Sequence, residues 1–236
     1  MAQVSVGNRR PLTPRDVTNH QRSLLTWHRT NARHFPWRLR RGEPFAILLA
    51  EILLRKTTAK QVAAVYPDFI ATYSAPSLLA GARITKLRAL LKPLGLSGRA
   101  SLLKALGAAL VANHGGLVPT LREDLLKLPG VGPYAANATL CFGFGQSVPI
   151  VDSNILRILS RVFGWTSSHP RPHLDKAVWD LASGLIPTGR AALYNEALLD
   201  LGALVCTHRD PACYKCPLGP TCLSNTAATE NQAVNS

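Results

Sequence analysis

Three small sets of residues in this chain have the types and spacing to do chemistry. The first is Cys206-x6-Cys213-x2-Cys216-x5-Cys222, four thiols within 17 residues, interleaved with Pro211, Pro217 and Pro220. Thiolates at this density make a four-point loop for zinc or for an iron–sulfur cluster. Zinc ribbons usually bring two CxxC pairs and only one is present, so the spacing alone leaves both centres open. The second set is the glycine hairpin Leu128-Pro129-Gly130-Val131-Gly132, followed by Pro133. Gly130 and Gly132 allow a tight turn with unshielded amides, and Pro133 suits the first turn of the next helix. Amides and a positive dipole end together suit an anion such as a nucleic-acid phosphate; the bland reading is an ordinary corner between two helices. The third set is acidic. Glu51 interrupts the apolar run Phe45 to Leu54, and Asp152 stands between Val148-Pro149-Ile150-Val151 and a helix predicted over Ser153–Phe163. A buried carboxyl is costly unless paired, here with Arg38 or Arg55, or else is kept as a general acid. Asp152 is at the least an N-cap. Arg55-Lys56-Thr57-Thr58 would set positive and hydroxyl side chains beside Glu51.

The elements that must position these groups are all helical. Thr120 and Glu123 have capping-box spacing and predict a helix to about Leu128. A second helix should run from Pro133 to the glycines Gly143 and Gly145, with Cys141 buried inside it, and Gly164 should close the third. Pro44–Lys60 reads as one buried helix, apolar around nearly its whole circumference over Phe45–Leu54. Val17–Arg33 fits a basic amphipathic helix that ends before Pro36, in His34-Phe35-Pro36-Trp37-Arg38. From Gln61 to Gly116 short helices are divided by Pro67, Pro76, Gly81, Pro93, Gly95, Gly98 and Gly115-Gly116. A loop covers 165–175, and helices resume at Leu174–Leu185 and Ala191–Val205. No strand pattern or repeat survives this punctuation, so the fold class is all-α. His20, His28 and His34 have no metal-like spacing and are assigned to surface or packing.

Composition agrees with a folded, nucleic-acid-binding chain. Apolar residues make up 47% of 236, and 27 Lys and Arg against 13 Asp and Glu give +14 and a pI near 10.2. Twelve of those cations, against only Asp16, Glu43 and Glu51, lie in residues 1–60, so the charge is concentrated. MAQVSVGNRRPLTPRDV has no apolar core of a signal peptide, and the longest apolar run is too short to span a bilayer. The expectation is a cytoplasmic, nucleoid-associated protein with no membrane segment, whose cysteines are ligands or thiols rather than disulfides.

LPGVGPYAA followed by VDSNILRILSR closely resembles the helix-hairpin-helix DNA glycosylases, the superfamily of endonuclease III. The resemblance covers roughly residues 20–225. It implies two helical domains with a DNA-binding cleft between them: a six-helix barrel over 37–146, and an iron–sulfur domain made of 15–36 and 147–224; residues 1–14, ending at Pro11 and Pro14, read as a disordered basic tail and 225–236 as a flexible one. It implies a [4Fe–4S] cluster on Cys206, Cys213, Cys216 and Cys222, which shapes a basic loop (His208, Arg209, Lys215). Leu128, Gly130, Val131, Gly132, Arg55, Lys56 and Thr57 would contact DNA. Asp152 matches the family's catalytic carboxylate and lies on one wall of the cleft, with Glu51 on the other. Where bifunctional members carry a Schiff-base lysine this chain has Tyr134, which implies a monofunctional enzyme.

Two monofunctional branches share HFPWR, Glu51 and Tyr134. EILLRKTTA resembles the thymine branch, acting on T·G mismatches; DLGALVCT suits either, and slightly favours the branch that removes adenine opposite 8-oxoguanine. Adenine enzymes usually carry a further C-terminal domain, whereas this chain ends 14 residues after Cys222. The expectation is therefore a monomeric base-excision glycosylase for thymine or uracil opposite guanine, acting on double-stranded DNA with a mismatched or damaged base. The alternatives are an adenine glycosylase and a non-catalytic mismatch-binding module.

Overall fold

The computed structural model describes residues 12–225. The tails expected over 1–14 and 225–236 thus lie outside the described residues, except for Leu12 to Pro14 and Asn225. In chain order the helices are α1 (Pro14–Asn31), α2 (Pro44–Leu53), α3 (Ala59–Thr72), α4 (Pro76–Ala80), α5 (Ile84–Leu91) and α6 (Ala100–His114). They continue with α7 (Arg122–Lys127), α8 (Pro133–Ala138), α9 (Ser153–Phe163), α10 (Lys176–Gly184) and α11 (Ala191–Leu204). The fold is all-α, and among the described residues there is no strand and no helix long and apolar enough to cross a membrane. Residues 34–146 make one compact unit; residues 12–33 and 147–225 make a second.

In the 34–146 unit the buried carboxylate's helix is the spine. α2 carries Ala46 to Leu53 entirely in the core, as its all-round apolar character requires. It packs on the end of the second hairpin helix, where α8 widens into a π turn at Thr139–Gly143. Gly143 permits the contact, because a Cβ there would lie 2.7 Å from the Cα of Pro44. The helix expected to reach Lys60 stops at Leu53. Its last carbonyls are taken by side chains: Thr57 Oγ1 donates to Leu53 O at 2.5 Å and Arg99 to Ile52 O at 2.9 Å. Lys56 then turns the chain through a left-handed φ of 58°. Thr58 starts α3 with a capping box to Gln61. α3 also runs straight through Pro67, where a break was expected. The proline is on the exposed side, while Val62, Tyr66, Phe69 and Ile70 are buried on the other; that burial outweighs a proline penalty of ~3 kcal/mol.

Two other expected boundaries move. α1 starts at Pro14 rather than Val17, because Thr13 and Asp16 form a reciprocal capping box. Thr120 does not cap α7. Leu121 holds that position without a side-chain bond, and the Thr120 carbonyl accepts a hydrogen bond from Gln146 instead.

In the second unit α11 packs against both α1 and α9. The fully buried Asp200 on α11 accepts from His28 Nε2 at 3.0 Å, Arg33 N at 3.0 Å and Arg33 Nε at 2.6 Å. His28, assigned to surface or packing, is thus one member of a buried charged cluster. His20, two turns earlier on α1, is also buried, but against the rings of Phe163 and Tyr194, and neither ring nitrogen has a hydrogen-bond partner.

Burial pulls the His20 pKa down from 6.5 to about 4. The unfolded chain therefore takes up a proton at His20 over a pH range in which the folded chain refuses it. This contribution to stability is complete above 6.5 and is lost as the pH falls toward 4. Melting curves between pH 7 and 4 should show a fall on the order of 5 °C attributable to His20. In His20→Phe the decline should be correspondingly shallower.

Candidate functional site

Within the 34–146 unit the hairpin is formed as read. α7 ends at Lys127, Val131 N closes a turn on Leu128 O at 3.1 Å, and α8 begins at Pro133. Gly130 has a φ of +80°, and a Cβ there would meet Leu102 at 2.8 Å. Gly132 is a different case. Its φ of −105° suits any residue, and a Cβ there would meet nothing within 4 Å. Among the described residues no protein contact asks for glycine at 132. Leu128 and Val131 are buried beneath the turn rather than displayed on it. Asn137, one turn into α8's buried face, accepts from Arg122 Nε at 2.9 Å and ties the two hairpin helices together.

Arg55 donates to Gly130 O at 2.7 Å, so it reaches the hairpin and not Glu51. Lys56 is exposed at the reversal after α2, and Thr57 is committed to the Leu53 carbonyl. Arg99 stands close enough to Arg55 that, after burial, the field of Arg55 helps lower the Arg99 pKa. The C-terminal end of α2 therefore gathers Arg55, Lys56 and Arg99, where cations also complement the helix dipole. Glu51 lies one turn inside the same helix, 4% exposed, among Leu48, Ala50 and Ile52. Tyr134, half-buried, is the second residue of α8.

In the second unit Asp152 caps α9. Its Oδ1 accepts from Ile155 N at 2.8 Å and its Oδ2 from Asn154 Nδ2 at 2.9 Å. Asn154 in turn accepts from Arg157 at 2.9 Å, and Arg157 also donates to Gly202 O and Cys206 O, each at 2.8 Å. One turn on, Arg161 donates to Thr207 O at 2.6 Å and His208 O at 2.9 Å. α9 thus holds the Asp152 carboxylate at its start and the first stretch of the cysteine loop along its side. Sequence reading found Asp152 and missed Asn154 and Arg157. Their spacing, three apart and close behind a capping aspartate, was the available signal.

Among the described residues no group of three or more Cys, His, Asp or Glu is arranged to hold a metal ion. The four loop thiols nonetheless share one neighbourhood. Burial, reinforced by the fields of Cys206, Cys222 and Cys213, pushes Cys216 up to about 11. An all-thiol set whose members oppose one another's ionisation is chemically suited to a cationic iron or zinc centre. Cys141 is fully buried in the π turn, away from this set in sequence and role.

Residues 49–183 match the model of the HhH-GPD superfamily, base excision DNA repair proteins. A thymine/uracil-DNA glycosylase of Pyrobaculum aerophilum is 40% identical over 213 residues, spanning 88% of this chain and 92% of the relative. An adenine DNA glycosylase of Mycobacterium tuberculosis is 34% identical over 205 residues, spanning 87% of this chain and 67% of the relative. The solved structure of a thermostable thymine-DNA glycosylase superposes with a TM-score of 0.84 at 35% identity, covering 89% of this chain and 97% of that one.

The two hairpin glycines should respond differently to alanine. Gly132→Ala should keep the wild-type melting temperature and weaken duplex binding by ~10-fold, since it fills space only a ligand would use. Gly130→Ala should itself cost ~1–3 kcal/mol of stability through its left-handed backbone. Thermal melts and duplex titrations of the two variants separate the effects.

Proposed function

Because the chain belongs to the HhH-GPD superfamily of base excision DNA repair proteins, we propose that it is a monofunctional DNA glycosylase that removes thymine or uracil opposite guanine. The observation that carries this reading is the carboxylate of Asp152, fixed at the head of α9 by Ile155 N and Asn154 Nδ2. A base within a duplex is out of reach, so the nucleotide must be flipped out, at a cost of roughly a few kcal/mol that is lowest at a mismatch. Breaking the N-glycosidic bond builds positive charge on the sugar, as in glycoside hydrolysis. Asp152 opposes that charge and orients the attacking water. Glu51, in the apolar surroundings of α2, hydrogen-bonds or protonates the departing base. Tyr134 packs against the sugar, where a phenol cannot form the Schiff base that strand cleavage needs. Lys127 does not substitute for it. Its ammonium is bound to Asp124 at 2.8 Å, and that hydrogen bond holds its pKa above the ordinary lysine value, leaving a poor nucleophile. Preference for thymine over adenine is supported by the greater identity to the thymine/uracil enzyme, 40% against 34%, and by Arg55-Lys56 after Glu51.

The deciding experiment is excision from duplexes carrying T·G, U·G, A·8-oxoguanine and A·G. T·G and U·G should be cut, without strand nicking and without a borohydride-trapped adduct. Asp152→Asn should lose ~10²–10³-fold in excision, as when one electrostatic stabiliser is removed, while duplex binding persists. Preferential removal of adenine would assign the chain to the other branch. Trapping of the wild type would end the monofunctional reading, and full activity in Asp152→Asn would end the role of Asp152.

We also propose that Cys206, Cys213, Cys216 and Cys222 hold a [4Fe–4S] cluster. The thiol-only donor set supports it. When bound, such a cluster cross-links the loop and needs no part in bond cleavage. The loop's basic residues His208, Arg209 and Lys215 are then presented to DNA by a rigid backbone, of which Arg157 and Arg161 already fix residues 206–208. Purified protein should be brown with about four irons per chain, and Cys213→Ser should be colourless or insoluble. A colourless wild type, prepared anaerobically and holding one zinc, would replace iron–sulfur with zinc.

A further inference from the structure

The segment that leads into Asp152 poses a backbone problem. Val148 to Val151 belongs to no helix or strand, and Pro149, Ile150 and Val151 are buried. Buried backbone N–H and C=O groups need partners, and extended chain normally finds them on a neighbouring strand. Among the described residues there is no strand. The partner is a side chain. Asn195 on α11, 1% exposed, donates from Nδ2 to Val148 O at 3.0 Å and accepts at Oδ1 from Ile150 N at 3.4 Å. These two backbone groups force the orientation of the amide, since a carbonyl only accepts and an N–H only donates. The pattern is that of a parallel ladder, in which one residue bridges the C=O before and the N–H after its opposite number. The residue bridged is Pro149, which has no N–H to offer.

The other end of the segment is held by the same helix. Gly202 lies seven residues after Asn195 on α11, two turns along the same face. A Cβ at Gly202 would fall 2.7 Å from Cβ of Asn154, the residue that donates to the Asp152 carboxylate. Arg157 bonds the Gly202 carbonyl and Asn154 together, at 2.8 and 2.9 Å. α11 therefore grips the chain three residues before Asp152's own helix begins and again just after it. We propose that Asn195 is a positioning residue for the excision reaction: its carboxamide acts as a one-residue strand that sets where the Asp152 carboxylate stands, with Gly202 as the second point of the grip. This rests on the role given to Asp152 above. It makes a distinct claim, that the position of the carboxylate is set by α11 and is not inherent in α9.

Asn195→Leu, nearly isosteric, removes both bonds; Asn195→Asp keeps the acceptor and removes the donor. Single-turnover excision at saturating enzyme, duplex Kd and melting temperature are measured for each on T·G and U·G. The rate constant should fall by ~10–10²-fold in Asn195→Leu, the scale of an ångström-sized misplacement of a reacting group, and by less in Asn195→Asp. Duplex Kd should be unchanged, because the hairpin is untouched. A purely structural role predicts the opposite split: a lower melting temperature and a smaller active fraction, with the rate constant per folded molecule at the wild-type value. That result, with Asp152→Asn inactive, overturns the proposal and leaves the function standing. Activity retained in Asp152→Asn overturns instead the role given to Asp152, on which this proposal rests. Amide hydrogen exchange of the wild type tests the ladder bond without a variant. The Ile150 amide should be strongly protected, and exchange at the rate of an open loop would overturn the proposal even if neither variant folds.

Discussion

A carboxylate that is to oppose charge developing on a sugar must be held still without having its own charge cancelled. Asp152 meets both conditions because the donors that fix it are neutral. A backbone amide and a carboxamide take one oxygen each. The nearest cation in the network, Arg157, is placed one residue further back and spends its guanidinium on Asn154 and on two backbone carbonyls. An arginine in direct contact would hold the side chain as firmly, but it would compete with the positive charge that the role proposed for Asp152 requires it to meet. The relay through Asn154 separates orientation from neutralisation.

That arrangement places demands on the surrounding helices of its unit. α9 has to serve the carboxylate at its start and the cysteine loop along its flank, so Arg157 and Arg161 both reach carbonyls of residues 202–208. α11 has to approach α9 closely enough for Gly202 to lie against Asn154. α11 is in turn anchored to α1 by Asp200, buried and satisfied by His28 and by both the main chain and side chain of Arg33. Breaking such a cluster would leave a bare charge in the core, a penalty of several kcal/mol. The cluster thus fixes α11 laterally, the precondition for any precision at Asn195 and Gly202.

The parts of this site legible in sequence are those decided locally. The third helix was read with its observed ends, Ser153 and Phe163, because an aspartate cap and a closing glycine act within one turn of the chain. The hairpin was likewise carried by short spacings, and the all-helical class by Pro and Gly punctuation. What escaped was set by partners far along the chain. Asn195 lies 45 residues from the backbone it bonds, and Asp200 lies 172 from His28. Nothing near either residue distinguishes it from a polar residue on a helix surface. The apolar run of α2 was also read too far, since its stop depends on Arg99, 47 residues away, as well as on Thr57.

Capping boxes show where local reading stops being enough. Of the strings in which a threonine is followed three residues later by an acid or amide, three stand beside the start of a helix: Thr13–Asp16, Thr58–Gln61 and Thr120–Glu123. The first two form reciprocal caps and start α1 and α3. The third, the one singled out by sequence, does not. Each offers the same hydrogen bonds, so intrinsic preference cannot separate them. At Thr120 the carbonyl is held by Gln146, which returns from the far end of the second hairpin helix, and the helix begins one residue later. The six residues of α7 are kept helical without that cap, by the Leu125 they bury and by Arg122 bound to Asn137.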